Sequence, residues 1–73
     1  MSRLIRLDRT GHTELAEWTV DGDGVEEARA ALAAELAHGY FAVATGHDGG
    51  AEQVRELPVD AELVVLRRPI AGG

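Results

Sequence analysis

Two early segments of the chain, residues 3–7 and 14–20, have apolar side chains at every second position, at Ile5 and Leu7 in the first and at Ala16, Trp18 and Val20 in the second. A period of two is typical of a β-strand, in which successive side chains point to opposite faces. The stretch DRTGHT, residues 8–13, lies between these segments and contains turn-forming residues, among which Gly11 tolerates a positive φ. The pattern therefore predicts two strands joined as a hairpin.

A helical period replaces the alternation over about residues 24–38. Apolar side chains recur there at spacings of three and four, at Val25, Ala28, Leu32 and Leu36. Asp23, followed three residues later by Glu26, predicts a capping box at the start of the helix. Gly39 predicts the end of the helix, since glycine is common just after the last helical residue.

Three further strands are predicted after the helix. Residues 40–45 form an aromatic and β-branched run, GHDGG at 46–50 predicts a turn, and 51–57 predicts a polar return strand. A turn at 58–61 then leads into ELVVLR, residues 62–67. The four consecutive apolar residues of ELVVLR are typical of an interior strand with neighbours on both sides.

The series of two strands, one helix and three strands predicts an α+β domain in which the helix packs across one face of a mixed sheet. For the last strand to be interior, it must lie beside the first strand and run parallel to it, which gives the sheet order 2-1-5-3-4. A chain of 73 residues has room for one small domain. The predicted core consists of Ile5, Leu7, Trp18, Val20, Leu32, Leu36, Phe41, Val43, Leu63 and Val65.

The same alternation predicts an apolar patch on the sheet face that points away from the helix. If Leu63 and Val65 point toward the helix, their neighbours along the strand point away. The patch is then expected to contain Leu4, Val64 and Leu66, with Ala42 and Ala44 beside them. Such a patch suits docking on a protein partner. The alternative interpretation is that a central strand is apolar on both sides for packing reasons alone.

Composition and charge argue against several classes of function. The net charge is −6, whereas nucleic-acid-binding proteins normally present a basic face. The first ten residues contain no apolar run long enough for a signal peptide or a membrane span, and the chain has no cysteine. The three histidines lack the spacing of metal ligands. We therefore expect a soluble, cytoplasmic protein that binds no metal, cofactor, nucleic acid or membrane.

The chain ends with RRPIAGG, residues 67–73. Together with the strand series, the turn TGHT at 10–13 and the end AELVVLRRPIAGG at 61–73 resemble the ubiquitin-like superfamily. The final segment is similar to the last strand and tail of the bacterial sulfur carriers for thiamin and molybdopterin synthesis. Arg67 and Arg68 depart from that pattern, which more often has apolar or aromatic residues at these places.

The resemblance implies a ubiquitin-like β-grasp domain at 1–68, with the element order ββαβββ, and a flexible Gly-Gly tail at 69–73. It also implies that an ATP-dependent activating enzyme adenylates the carboxylate of Gly73, which is then converted to a thiocarboxylate. Because Gly72 and Gly73 lack Cβ atoms, they suit a narrow channel. The carrier itself would supply no catalytic side chain and would not be an enzyme. Its expected partner contacts are Leu4, Val64, Leu66, Arg68, Pro69 and Ile70.

Two other functions fit the same pattern. The chain could be a structural or adaptor domain that binds a larger protein assembly through its sheet face or an edge strand, without any chemistry at its end. It could also be a small regulatory component of a multisubunit enzyme. Under the adaptor interpretation the two terminal glycines have no role, and the regulatory component predicts the same surface.

Overall fold

The computed structural model describes residues 1–8, 11–46 and 49–68. Its elements, in chain order, are strand β1 (Ser2–Asp8), strand β2 (Gly11–Trp18), helix α1 (Val25–Ala37), strand β3 (Phe41–Thr45), strand β4 (Ala51–Val54) and strand β5 (Leu63–Arg67). The described residues form a small α+β domain in which one helix packs on a mixed sheet. The predicted broad class is confirmed.

The sheet has the strand order β2-β1-β5-β3-β4. Strand β5 runs parallel to β1 on one side and antiparallel to β3 on the other. The interior, parallel position predicted for the ELVVLR segment is confirmed, since its apolar residues have strands on both sides. The chain therefore reaches Arg67 and Arg68 from the middle of the sheet rather than from an edge.

The face of the sheet that the helix covers is opposite to the predicted one. Leu4, Val64 and Leu66 are completely buried and pack in the core with Leu32 of the helix. The register pairs Ser2 with Trp18, so Trp18 lies on the same face as Leu4. Since Trp18 is only 1% exposed, that face belongs to the core. The predicted strand residues of the core that lie on the other face are Ile5, Leu7, Phe41, Val43, Leu63 and Val65.

Strand β2 contains an extra residue that the simple alternation did not predict. Leu4 pairs with Ala16 whereas Ile5 pairs with Glu14, so Leu15 stands opposite no residue of β1. A bulge of this kind shifts the order of faces along one strand by one residue. Alternation along the first hairpin therefore could not by itself assign both strands to the correct faces.

The bounds of three predicted segments also need correction. Val20 is 74% exposed and lies in a turn after β2, closed by a hydrogen bond from the Gly22 N–H to the Thr19 carbonyl at 3.0 Å. The TGHT stretch is not a turn throughout, because β2 already begins at Gly11. Strand β4 ends at Val54, and residues 55–62 cross from there to the start of β5.

The crossing segment packs under the sheet instead of lying free on the surface. The predicted turn at 58–61 is confirmed by a hydrogen bond from the Ala61 N–H to the Pro58 carbonyl at 2.9 Å. The Trp18 Nε1–H donates to the Val59 carbonyl at 3.0 Å, and the Ser2 hydroxyl donates to the Ala61 carbonyl at 2.6 Å. These bonds fix the point at which β5 enters the sheet beside β1.

The helix begins without the predicted capping box. Its N-cap is Gly24, at φ 79°, and no side chain caps the first turn. A Cβ atom at Gly24 would collide with the backbone carbonyl of Glu17 at the end of β2. A residue without a side chain is therefore required where the helix and β2 approach each other, and Asp23 cannot take the N-cap position.

The predicted helix end is confirmed. Gly39 has φ 96°, its N–H donates to the Leu36 carbonyl at 3.1 Å, and the Tyr40 N–H donates to the Glu35 carbonyl at 3.1 Å. This pair of bonds is the Schellman motif, in which a glycine in the left-handed region reverses the chain after a helix. The motif places Tyr40 directly at the start of β3.

Candidate functional site: the open sheet face and its C-terminal corner

The residues predicted to bind a partner from the sheet are not accessible. Leu4, Val64 and Leu66 each have no exposed surface, and Ala42 and Ala44 are also buried under the helix. The prediction that they form a partner surface is wrong, because the helix covers the face on which they lie. An apolar face opposite the helix nevertheless exists, and it is made of the alternate residues of the same strands.

We call this surface the open face and define it as Ile5, Leu7, Phe41, Val43, Leu63 and Val65. Its centre is a row of three cross-strand partners, in which Val65 pairs with Ile5 on one side and with Val43 on the other. Five of its members are half-buried, and Leu7, near the end of β1, is 37% exposed. Contiguous apolar surface without a covering element is a common property of interaction sites.

Charged residues lie on strands at the border of the open face. Arg3 and Glu14 form an ion pair at 3.6 Å between neighbouring strands, with both side chains well exposed. Arg67, exposed at the end of β5, pairs in register with Phe41. An exposed ion pair of this kind adds little to stability. The border is thus polar while the centre is apolar, as is usual for protein interfaces.

A second cluster lies where β5 ends, and we call it the C-terminal corner: Arg6, Glu35, Tyr40 and Arg68. The Arg6 Nη1 donates to the Glu35 Oε1 at 3.0 Å. The guanidinium carbon of Arg6 is 5.9 Å from the centre of the Tyr40 ring, and that of Arg68 is 5.8 Å from the same centre. Both distances are within the range of cation–π attraction.

The predicted tail residues Pro69, Ile70, Gly72 and Gly73 lie outside the residues that the structure describes. The same holds for Thr10 in the first turn. Of the six predicted partner contacts, only Arg68 is both described and exposed. The structure brings it together with Tyr40 and Arg6, which the pattern of the sequence did not single out, because their contact depends on how the helix end and two strands meet.

No protein-family model matches this chain, and no curated protein or solved structure matches it. In the part of the chain that the structure describes, no helix is long and apolar enough to cross a membrane.

Proposed function

We propose that this chain is a ubiquitin-like β-grasp sulfur carrier, whose C-terminal glycine carboxylate is adenylated by a partner enzyme and converted to a thiocarboxylate. The element order, with two strands before the helix and three after it, supports the β-grasp assignment. So does the sheet order, in which the last strand lies beside the first and parallel to it. The terminal RRPIAGG supports the carrier assignment.

The observation that carries the proposal is that one strand serves both the open face and the end of the chain. Leu63 and Val65 of β5 lie in the open face, Arg67 ends the same strand, and Arg68 follows it directly. Five residues come after Arg68, and fully extended they span at most about 18 Å. An enzyme that covers the open face would therefore have its active centre within reach of Gly73.

The proposed chemistry places few demands on the carrier. An oxygen of the Gly73 carboxylate attacks the α-phosphorus of ATP, and pyrophosphate leaves. Bisulfide then attacks the acyl carbon, the bond from that carbon to the AMP oxygen breaks, and a thiocarboxylate and AMP result. The partner supplies the catalytic groups, whereas the carrier supplies a carboxylate on two residues without side chains, Gly72 and Gly73.

The test uses the purified chain with ATP-dependent enzymes that activate C-terminal glycines. Adenylation is measured as carrier-dependent exchange of labelled pyrophosphate into ATP. Addition of bisulfide should then give, by intact mass, the increase that corresponds to replacement of one oxygen by one sulfur. A chain with one alanine added after Gly73 is the control and should show neither signal, because the carboxylate is moved by about 3.3 to 3.6 Å. Equal exchange by both chains would contradict the proposal.

The open face also supports a second function, that of an adaptor which binds a larger protein without chemistry at its end. Its centre at Ile5, Val43 and Val65 is apolar whether or not the tail reacts. Deletion of Gly72 and Gly73 separates the two functions. An adaptor lacking these residues keeps its full affinity for the partner and its biological activity, whereas a carrier keeps part of the affinity and loses all activation.

A further inference from the structure

The C-terminal corner contains an ion pair and an aromatic ring that lies close to two arginines. We propose that Tyr40 anchors Arg68 and so fixes the direction in which the chain leaves the sheet. Arg68 and Tyr40 would then be positioning residues for the reaction of the tail, and in that respect the inference rests on the proposed function.

Consecutive residues at the end of β5 point to opposite sides of the sheet. Leu66 is completely buried on the helix side, and Arg67 is exposed on the side of the open face. Arg68 is the next residue, and its guanidinium reaches the Tyr40 ring. The two adjacent arginines therefore differ in surroundings: Arg68 contacts the folded domain, whereas Arg67 borders the surface that a partner would cover.

Tyr40, whose ring Arg68 reaches, has its backbone held by two regular elements. Tyr40 follows Gly39 in the Schellman motif, and its N–H donates to the Glu35 carbonyl. It also directly precedes β3, whose residues pair with β5. The backbone that carries the ring is therefore held between a helix end and a strand, and the partly buried side chain packs against the core, which limits where the ring can lie beside the end of β5.

The ion pair beside the ring explains how two arginines share it. Arg6 and Arg68 both lie within 6 Å of the Tyr40 centre, and like charges near one ring repel each other. Glu35 accepts a hydrogen bond from Arg6, and the exposed fractions of the two side chains are 30% for Arg6 and 12% for Glu35. The half-buried carboxylate thus offsets the charge of Arg6, which leaves the attraction between the ring and Arg68.

The anchor is tested first in the free protein by nuclear magnetic resonance. The ring current of Tyr40 should shift the side-chain proton resonances of Arg68 away from their ordinary values, and Tyr40→Leu should abolish that shift. Tyr40→Phe keeps the ring and should retain it. Amide relaxation at Arg68 should show faster motion in Tyr40→Leu than in the wild type, while Leu66, which is buried in the core, stays unchanged.

The positioning role is tested by measuring the rate of adenylation as a function of carrier concentration. Tyr40→Leu and Arg68→Ala should lower kcat by about ten- to hundredfold with little change in KM, because a misplaced reacting group costs rate rather than affinity. Tyr40→Phe should retain wild-type kcat. Arg67→Ala is the matched control, since it borders the docking surface, and it should raise KM with little change in kcat.

The outcomes separate the two proposals. Unshifted Arg68 resonances in the wild type, or unchanged Arg68 relaxation in Tyr40→Leu, would overturn the anchor. An unchanged kcat in Tyr40→Leu would overturn the positioning role while the carrier function stands. If even the wild-type chain shows no adenylation, the proposed function fails and the positioning role fails with it, while the resonances in the free protein still decide whether the anchor exists.

Discussion

The two faces of the sheet are made from the same strands, and both are apolar, yet only one carries the helix. On the helix side, Leu4, Val64 and Leu66 are completely buried beside the small residues Ala42 and Ala44. On the open face the corresponding places are taken by larger or β-branched side chains, among them Phe41, Val43 and Val65. Small residues let a helix approach the sheet closely, whereas a continuous β-branched row fills the surface by itself.

Hydrophobicity alone therefore does not mark the core of this small mixed sheet. The helix side combines apolar character with small side chains, the single tryptophan and the contacts of the crossing segment at 55–62. The open face has apolar character without these partners. Among the described residues, no helix covers the open face.

The largest contrast should come from a charge placed on either side of one strand. Val64→Asp buries an unpaired carboxylate in the core and should cost about 3 to 5 kcal/mol or more, enough to unfold a marginal domain. Val65→Asp, on the open face, should cost about 1 kcal/mol, the span of strand propensity. Far-ultraviolet circular dichroism during urea titration measures both. A folded Val64→Asp domain would contradict the assignment of the faces.

Truncation of leucine should give a smaller effect in the same direction. Leu66→Ala removes a completely buried side chain and should lower the free energy of unfolding by about 2 to 5 kcal/mol. Leu63→Ala, on the same strand but on the open face, should cost clearly less because the site is already in contact with solvent. The urea midpoints of the two variants are compared, with the dependence of the unfolding free energy on urea concentration held equal. Equal losses would show that the open face is covered in solution.

The attachment of the helix to its face can be tested at two glycines. Gly24→Ala should cost about 1 to 3 kcal/mol for a positive φ, and more because its Cβ would collide with the Glu17 carbonyl. Gly39→Ala also has a positive φ but no atom within 4 Å of the added Cβ, so it should show only the backbone cost. The two urea midpoints measure the difference. Equal values would mean that helix and strand do not touch at Gly24.

The smallest contrast is expected between the ion pairs on the two faces. Glu35→Gln removes the charged partner of half-buried Arg6 and should cost about 1.5 to 3 kcal/mol. Glu14→Gln removes the exposed partner of Arg3 and should cost about 0 to 1 kcal/mol, with a difference that fades at high salt. Thermal unfolding at two salt concentrations compares them. A larger loss of stability in Glu14→Gln than in Glu35→Gln would contradict the greater burial of the pair between Arg6 and Glu35.

The helix and the last strand could be predicted because their signals are local. Val25, Ala28 and Leu32 recur at helical spacing, and the apolar run from Leu63 to Leu66 is short and contains two valines, as is typical of an interior strand. The faces could not be predicted, since β5 is apolar on both sides and carries no periodic signal that distinguishes them. They depend on long-range pairing, namely Ser2 with Trp18 and the extra residue Leu15.

The candidate site was predictable only in part, for the same reason. Arg68 was singled out by its place before the end of the chain, whereas the partners it meets come from other elements. Tyr40 and Arg6 reach it through the Schellman motif and the parallel pairing of β1 with β5. Contacts between residues distant in the chain follow from the completed fold, so no local pattern indicated the C-terminal corner.

The fluorescence of Trp18 reports on the core of the domain and not on the open face. Trp18 is the one tryptophan of the chain, 1% exposed, and its indole N–H is bonded to the Val59 carbonyl. Its fluorescence should therefore move to longer wavelength when the core opens. The ring lies on the helix side, so a ligand on the open face should leave its emission unchanged. Unfolding and docking can accordingly be followed as separate signals in the same unlabelled sample.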